Sequence, residues 1–138
     1  MLTKKLLSLG ICMLLLLSFS TPVLAAEQNT SSPIGVYYVY INQASSTLSI
    51  SNGTAIVNGY VQRTPAGTSI QITSTLQRYS SGSWVAVKSW SKTSTSFSAS
   101  ISETYPVSSG TYRVATYYAV SGPGGTESGT VYSTTESY

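Results

Sequence analysis

The chain has 138 residues, with seven Lys and Arg against four acidic residues, no histidine and one cysteine. All four acids are glutamates, so neither a His–Asp relay to a serine nor a His/Cys zinc site can be assembled. No basic run tracks a phosphate backbone, which argues against a nucleic-acid partner.

At the N-terminus Lys4 and Lys5 precede the apolar run Leu6–Leu17, and a polar stretch leads to Pro22-Val23-Leu24-Ala25-Ala26. The apolar run falls well short of the roughly 20 residues that span a bilayer. Charge, apolar stretch and small-residue exit together form the pattern of a secretory signal peptide, cleaved after Ala25. The expected organisation is a signal peptide over residues 1–25, a flexible lead-in over 26–35 and a single domain over 36–138, a usual domain size. Cys12 lies in the removed segment, so the mature chain has no thiol or disulfide. A secreted domain without disulfides fits a bacterial source. The mature charges are Arg63, Arg78, Lys88, Lys92 and Arg113 against Glu27, Glu103, Glu127 and Glu136. No second apolar segment or anchoring tail is evident, so the expectation is an extracellular protein with no membrane association in its mature form.

The mature sequence is rich in Ser, Thr and Tyr and poor in good helix formers, and turn clusters recur at strand-like spacing. Val36–Gln43 reads as a first strand and Thr47–Ser51 as a short second one, ended by the hairpin signal Asn52-Gly53. Thr54–Arg63 alternates, with Ala55, Val57, Gly59 and Val61 on one face. A turn at Thr64-Pro65-Ala66-Gly67 leads to Thr68–Tyr79, and Ser80–Ser83 turns the chain into Trp84–Lys92. Thr95–Tyr105 follows, then a loop over Pro106–Gly110, a long strand over Thr111–Val120, a Gly-rich loop over Ser121–Gly125 and a last strand over Thr126–Thr134. Seven or eight antiparallel strands bury their apolar faces most economically as two packed sheets. Ser109-Gly110-Thr111-Tyr112 resembles the corner before the penultimate strand of immunoglobulin-like domains, where the tyrosine hydroxyl bonds back to the main chain. The expected fold is an immunoglobulin/fibronectin type III-like β-sandwich, with a small closed β-barrel as the alternative. Period-two facing predicts a core of Val57, Val61, Ile70, Ile72, Leu76, Val85, Val87, Phe97, Ile101, Tyr112, Val114, Tyr118 and Val120.

Thr75-Leu76-Gln77-Arg78, Ser81-Gly82-Ser83-Trp84, Val87-Lys88-Ser89-Trp90-Ser91, Gly110-Thr111-Tyr112-Arg113-Val114 and Glu127-Ser128 together resemble small secreted β-rich proteins of clostridia and related Gram-positive bacteria. The resemblance spans about residues 45–130. It implies the same compartment and fold, and no activity, since that family has no established one.

Among catalytic schemes, glycoside hydrolysis needs only two carboxylates about 5–10 Å apart. Glu103 and Glu127 would have to meet for that, and both read more simply as solvated strand-end charges. The glycines at 122–125 lack the Lys-Ser/Thr and helix of a phosphate loop. No catalytic residue, cofactor or metal site is expected.

One face remains. With Ser81-Gly82 at the hairpin tip, Tyr79 pairs with Trp84, Gln77 with Ala86, Leu76 with Val87, Thr75 with Lys88 and Thr73 with Trp90. Tyr79, Gln77, Trp84, Lys88 and Trp90 then point away from the core, joined by Arg113 and Tyr117 if the Tyr112 strand lies alongside. Aromatic rings among polar donors suit sugar or peptide recognition, so Tyr79, Trp84, Trp90, Arg113 and Tyr117 form the candidate ligand-binding face. A turn one residue longer or shorter would bury the tryptophans instead. Three function classes stay open: a binding module for an extracellular glycan or surface protein, a structural protein that self-associates through sheet edges, and a secreted toxin or bacteriocin-like factor.

Overall fold

The structure, a computed structural model, describes residues Tyr38–Tyr138. The expected signal peptide, the lead-in and the start of the first expected strand lie outside the described residues. Eight strands follow one another: β1 (Ile41–Ser51), β2 (Thr54–Arg63), β3 (Ser69–Ser80), β4 (Ser83–Ser94), β5 (Ser98–Pro106), β6 (Thr111–Gly122), β7 (Gly125–Tyr132) and β8 (Glu136–Ser137). All pairings are antiparallel. They build a three-stranded sheet, β1-β2-β5, and a larger sheet, β4-β3-β6-β7, with β8 added to β6. β1 faces β6 and β7, β2 faces β3 and β6, and β5 faces β3 and β4. The result is a sandwich. The closed barrel is corrected, because neither β1 nor β5 pairs with a strand of the larger sheet.

The turns follow from local sequence. Asn52 and Gly53 take φ of 48° and 72°, and Ser81 and Gly82 take 49° and 83°. Two consecutive left-handed residues give the turn whose twist matches the flanking strands. The two first strands expected from sequence are one, β1, which starts at Ile41 and carries an irregularity between Ile41 and Gln43. Tyr40 stays outside it, and its hydroxyl accepts the Gly124 N–H at 2.8 Å, so its ring packs against the Gly-rich turn between β6 and β7. β8 went unexpected. Its short run pairs Glu136 with Tyr112 and Ser137 with Thr111, and Tyr138 exchanges two main-chain hydrogen bonds with Gly110.

Ten of the expected core residues are buried: Val57, Val61, Ile70, Ile72, Leu76, Ile101, Tyr112, Val114, Tyr118 and Val120. The Tyr112 hydroxyl donates to the Ser108 carbonyl at 2.8 Å, the hydrogen bond expected of that corner. Burial, and after it a hydrogen bond with Tyr38, push the Tyr118 phenol above its usual pKa.

Val85, Val87 and Phe97 are corrected: they are 52%, 37% and 54% exposed. Val85 and Val87 lie on β4, the outermost strand of the larger sheet, which is exposed along most of its length. Phe97 sits in the link from β4 to β5, outside both strands. There the Arg63 guanidinium lies 4.3 Å above its ring. Arg63 also donates to four main-chain carbonyls, those of Thr64, Gly67, Thr95 and Ser96. One planar fork thereby ties the β2–β3 turn to the β4–β5 link. Lysine cannot reproduce that geometry. Arg63→Lys is expected to lower stability by about 2 kcal/mol in urea unfolding, since bonds from a charged donor contribute about 1.5–3 kcal/mol each when well made; a loss under about 0.5 kcal/mol would show the fork to be dispensable.

The core divides in two. Ile41, Val61, Ile70, Ile72, Ala99, Ile101, Tyr118 and Val120 form one cluster. Leu48, Ala55, Val57, Leu76, Tyr112 and Val114 form the other. Ser74 and Thr116, both fully buried, lie between these two groups in sequence along β3 and β6. The Thr116 hydroxyl donates to Ser46 Oγ at 2.9 Å, and Ser46 donates to the Val114 carbonyl at 3.3 Å. Thr116 has one proton, so in its 2.9 Å contact with Ser74 it accepts and Ser74 donates. Gly59 on β2 gives these hydroxyls room, because a Cβ there would collide with Ser74 Oγ and touch Thr116 at 3.0 Å.

Candidate functional site

The alternation that buries Ile70, Ile72, Ser74 and Leu76 turns Gln71, Thr73, Thr75, Gln77 and Tyr79 to the other side of the larger sheet. β6 contributes Arg113, Ala115 and Tyr117 to this outer face, through the pairs Gln77–Arg113, Thr75–Ala115 and Thr73–Tyr117. β7 adds Tyr132, opposite Ala115, and Thr130, opposite Tyr117. At the hairpin end of β4, Trp84 pairs with Tyr79 as expected, and Gln77 pairs with Ala86.

Beyond Ala86 the register departs from expectation. Val87 is an extra residue: Gln77 pairs with Ala86 and Leu76 with Lys88, not with Val87. A bulge of this kind returns the following residues to opposite faces. Thr75 therefore pairs with Ser89 rather than Lys88, and Ser74 with Trp90, displacing the expected Thr73–Trp90 pair. Trp90 consequently turns toward the smaller sheet, where it packs on both core clusters and meets Tyr105 edge-on at 6.2 Å. Of the five candidate residues, Tyr79, Trp84, Arg113 and Tyr117 share the outer face, and Trp90 does not. Lys88 and Lys92 face inward with Trp90, through their pairs with Leu76 and Ile72. Inward-pointing charge and a bulge are devices that blunt an edge strand against further pairing.

The outer face holds an arrangement that sequence reasoning missed. The Arg113 Cζ lies 4.3 Å from the Trp84 ring and 4.3 Å from the Tyr132 ring. Its Nε donates to Gln77 Oε1 at 2.8 Å. Tyr79 rests against Trp84 with centroids 5.2 Å apart, tilted by 59°. The guanidinium thus fixes two aromatic side chains from opposite edges of the sheet, each contact contributing about 0.5–2 kcal/mol. Tyr132 is 55% exposed. The signal for it was the period-two pattern of the last strand, Thr126, Ser128, Thr130, Tyr132.

Hydroxyl pairs fill the ground between the aromatics. Thr73 and Ser91 are 2.8 Å apart, and Thr75 and Ser89 2.7 Å. Among the described residues the surface encloses no cavity, and no group of three His, Cys, Asp or Glu gathers as a metal site.

Glu103 and Glu127 stand on different sheets. Glu103 lies on β5, the edge of the smaller sheet that faces β4, and Glu127 on β7, the edge that faces β1. Both Glu127 oxygens are engaged, accepting the N–H groups of Val39 at 2.7 Å and Tyr40 at 2.8 Å. This carboxylate anchors the entry into β1.

No family model matches this chain, and no curated protein does. Among solved structures, the sporulation control protein Spo0M of Bacillus subtilis aligns at 10% identity over 66% of this chain, with a TM-score of 0.32. The chain spans about half that protein's length, 48% of it being covered. A likeness at that level carries no inference about this domain.

Proposed function

We propose that this chain is a secreted, non-catalytic binding module, and that its ligand, an extracellular glycan or cell-surface component, lies on the outer face of the larger sheet. The observation that carries the reading is the clamp of Arg113 between Trp84 and Tyr132. A cation held between two rings keeps large aromatic surfaces in place on a face otherwise rich in hydroxyls. Such pre-ordering lowers the entropic cost of binding, and rings beside polar groups suit sugar recognition. Secretion rests on the N-terminal pattern of Lys4-Lys5, Leu6–Leu17 and Ala25-Ala26. The immunoglobulin/fibronectin type III-like reading is supported by the β1-β2-β5 and β4-β3-β6-β7 strand orders and by the Tyr112 corner. It accords with the resemblance to secreted clostridial proteins. Self-association by strand addition is disfavoured at β4, given its bulge and inward lysines.

The test is a pull-down of the mature domain on purified Gram-positive cell walls. Trp84→Ala and Tyr132→Ala are expected to reduce the bound fraction at least tenfold. Phe97→Ala, an exposed ring outside this face, is expected to leave it unchanged. Equal retention of all three variants would refute the proposed face.

A further inference from the structure

The charge distribution of the outer face narrows the ligand. Among the described residues, Arg113 is the one charged side chain on it. Lys88 and Lys92 turn inward after the bulge, as does Arg78, which is paired with the buried Tyr112. Glu127 and Glu136 pair with the buried Val120 and Tyr112, and so face inward too. Arg63 and Glu103 belong to the smaller sheet. Arg113 itself is committed, with a ring on each side and Gln77 on its Nε. An anionic polymer would therefore find no cluster of free cations to compensate its lost hydration.

The hydroxyl pairs point to the opposite chemistry. In each pair one O–H donates to its neighbour, leaving one proton and several lone pairs for a ligand. A surface that both donates and accepts matches a polyol, which does the same; carboxylate and phosphate only accept. The aromatic positions run diagonally over the strands, from Trp84 on β4 past Arg113 on β6 to Tyr132 on β7, with Tyr117 next to it on β6. With no cavity among the described residues to enclose a ligand, each sugar contributes a small contact, and a flexible oligosaccharide loses much of that gain on ordering. A rigid array has no such loss.

We infer that this face binds an uncharged polysaccharide presented as a rigid, extended surface, in preference to soluble oligosaccharides or anionic glycans. The inference rests on the binding-face reading above and names its ligand class. The experiment measures depletion of the mature domain by microcrystalline cellulose and by chitin particles, at 20 mM and 500 mM NaCl, beside soluble cello- and chito-oligosaccharides and immobilised polygalacturonate. The expected result is adsorption to one of the neutral particles, changed less than twofold by salt, with at least tenfold weaker capture by the soluble and anionic probes. Trp84→Ala and Tyr117→Ala should each lower it at least fivefold, and Phe97→Ala should not. Capture by polygalacturonate alone, lost at high salt and sensitive to Trp84→Ala, would overturn the neutral-ligand inference and leave the binding face standing. Absence of adsorption to every probe, with a concentration-dependent dimer in sedimentation that Trp84→Ala abolishes, would overturn both, because the face would then be a contact between copies.

Discussion

Gly59→Ala is expected to destabilise the domain by about 3 kcal/mol, lowering its melting temperature by roughly 15 °C at the usual sensitivity of a domain this size. The added methyl would meet Ser74 Oγ, which is fully buried and bonded to Thr116. Overpacking costs about 1–3 kcal/mol, and turning the Ser74 hydroxyl away leaves it unpaired, at about 1–3 kcal/mol more. The neighbouring substitutions separate these contributions. Ser74→Ala removes a donor while Thr116 keeps its bond to Ser46, so it should cost at most about 1 kcal/mol. In the double variant Gly59→Ala/Ser74→Ala the colliding oxygen is gone, and most of the loss should be recovered. Thr116→Val strips Ser74 of its acceptor and should cost more than Ser74→Ala. Additive effects of Gly59→Ala and Ser74→Ala in denaturant unfolding would disprove the collision.

Leu76→Ala and Ile72→Ala are expected to cost about 3–4 kcal/mol each, because both side chains are fully buried, one in each core cluster, and truncation leaves a cavity. Val85→Ala and Phe97→Ala, on side chains about half exposed, should stay near 0.5 kcal/mol. Chemical denaturation of the four variants checks the contrast. Losses of similar size at all four would mean that the sandwich interior is placed wrongly.

Most of the architecture could be read from period two. On β2, β3 and β6, alternation identified the inner face residue by residue, since each has a neighbour strand on both sides and a sheet over its inner face. Asn52-Gly53 and Ser81-Gly82 revealed two hairpins because their backbone requirement is local. Alternation failed where burial is not decided by the strand itself. Val85 and Val87 have the composition of an inner face, yet β4 is an edge with little above it. The bulge at Val87 depends on how β4 fits against Leu76 and Gln77, and no turn residue announces it. That single extra residue placed Trp90 among core side chains and Lys88 on the inner face. The Arg113 clamp was equally hidden: hairpin counting puts Trp84 on the outer face, and Arg113 shares that face only if the Tyr112 strand lies alongside, whereas Tyr132 arrives there only because β7 pairs with β6 on the far side. β8 has no apolar pattern, and it is held by main-chain bonds that Tyr138 shares with Gly110.

A ligand on the outer face of the larger sheet would shield the aromatic rings there and no others. Hydroxyl-radical footprinting of residues 36–138, free and adsorbed to a polysaccharide that retains them, distinguishes this face from the rest of the surface, because oxidation of aromatic rings reports their exposure individually. Adsorption should lower the labelling of Tyr79, Trp84, Tyr117 and Tyr132 several-fold and leave Tyr38 and Phe97, which are exposed elsewhere, at their free rates. Protection centred on Phe97 and Tyr38, with Trp84 and Tyr132 labelled as before, would place the ligand away from the outer face of the larger sheet.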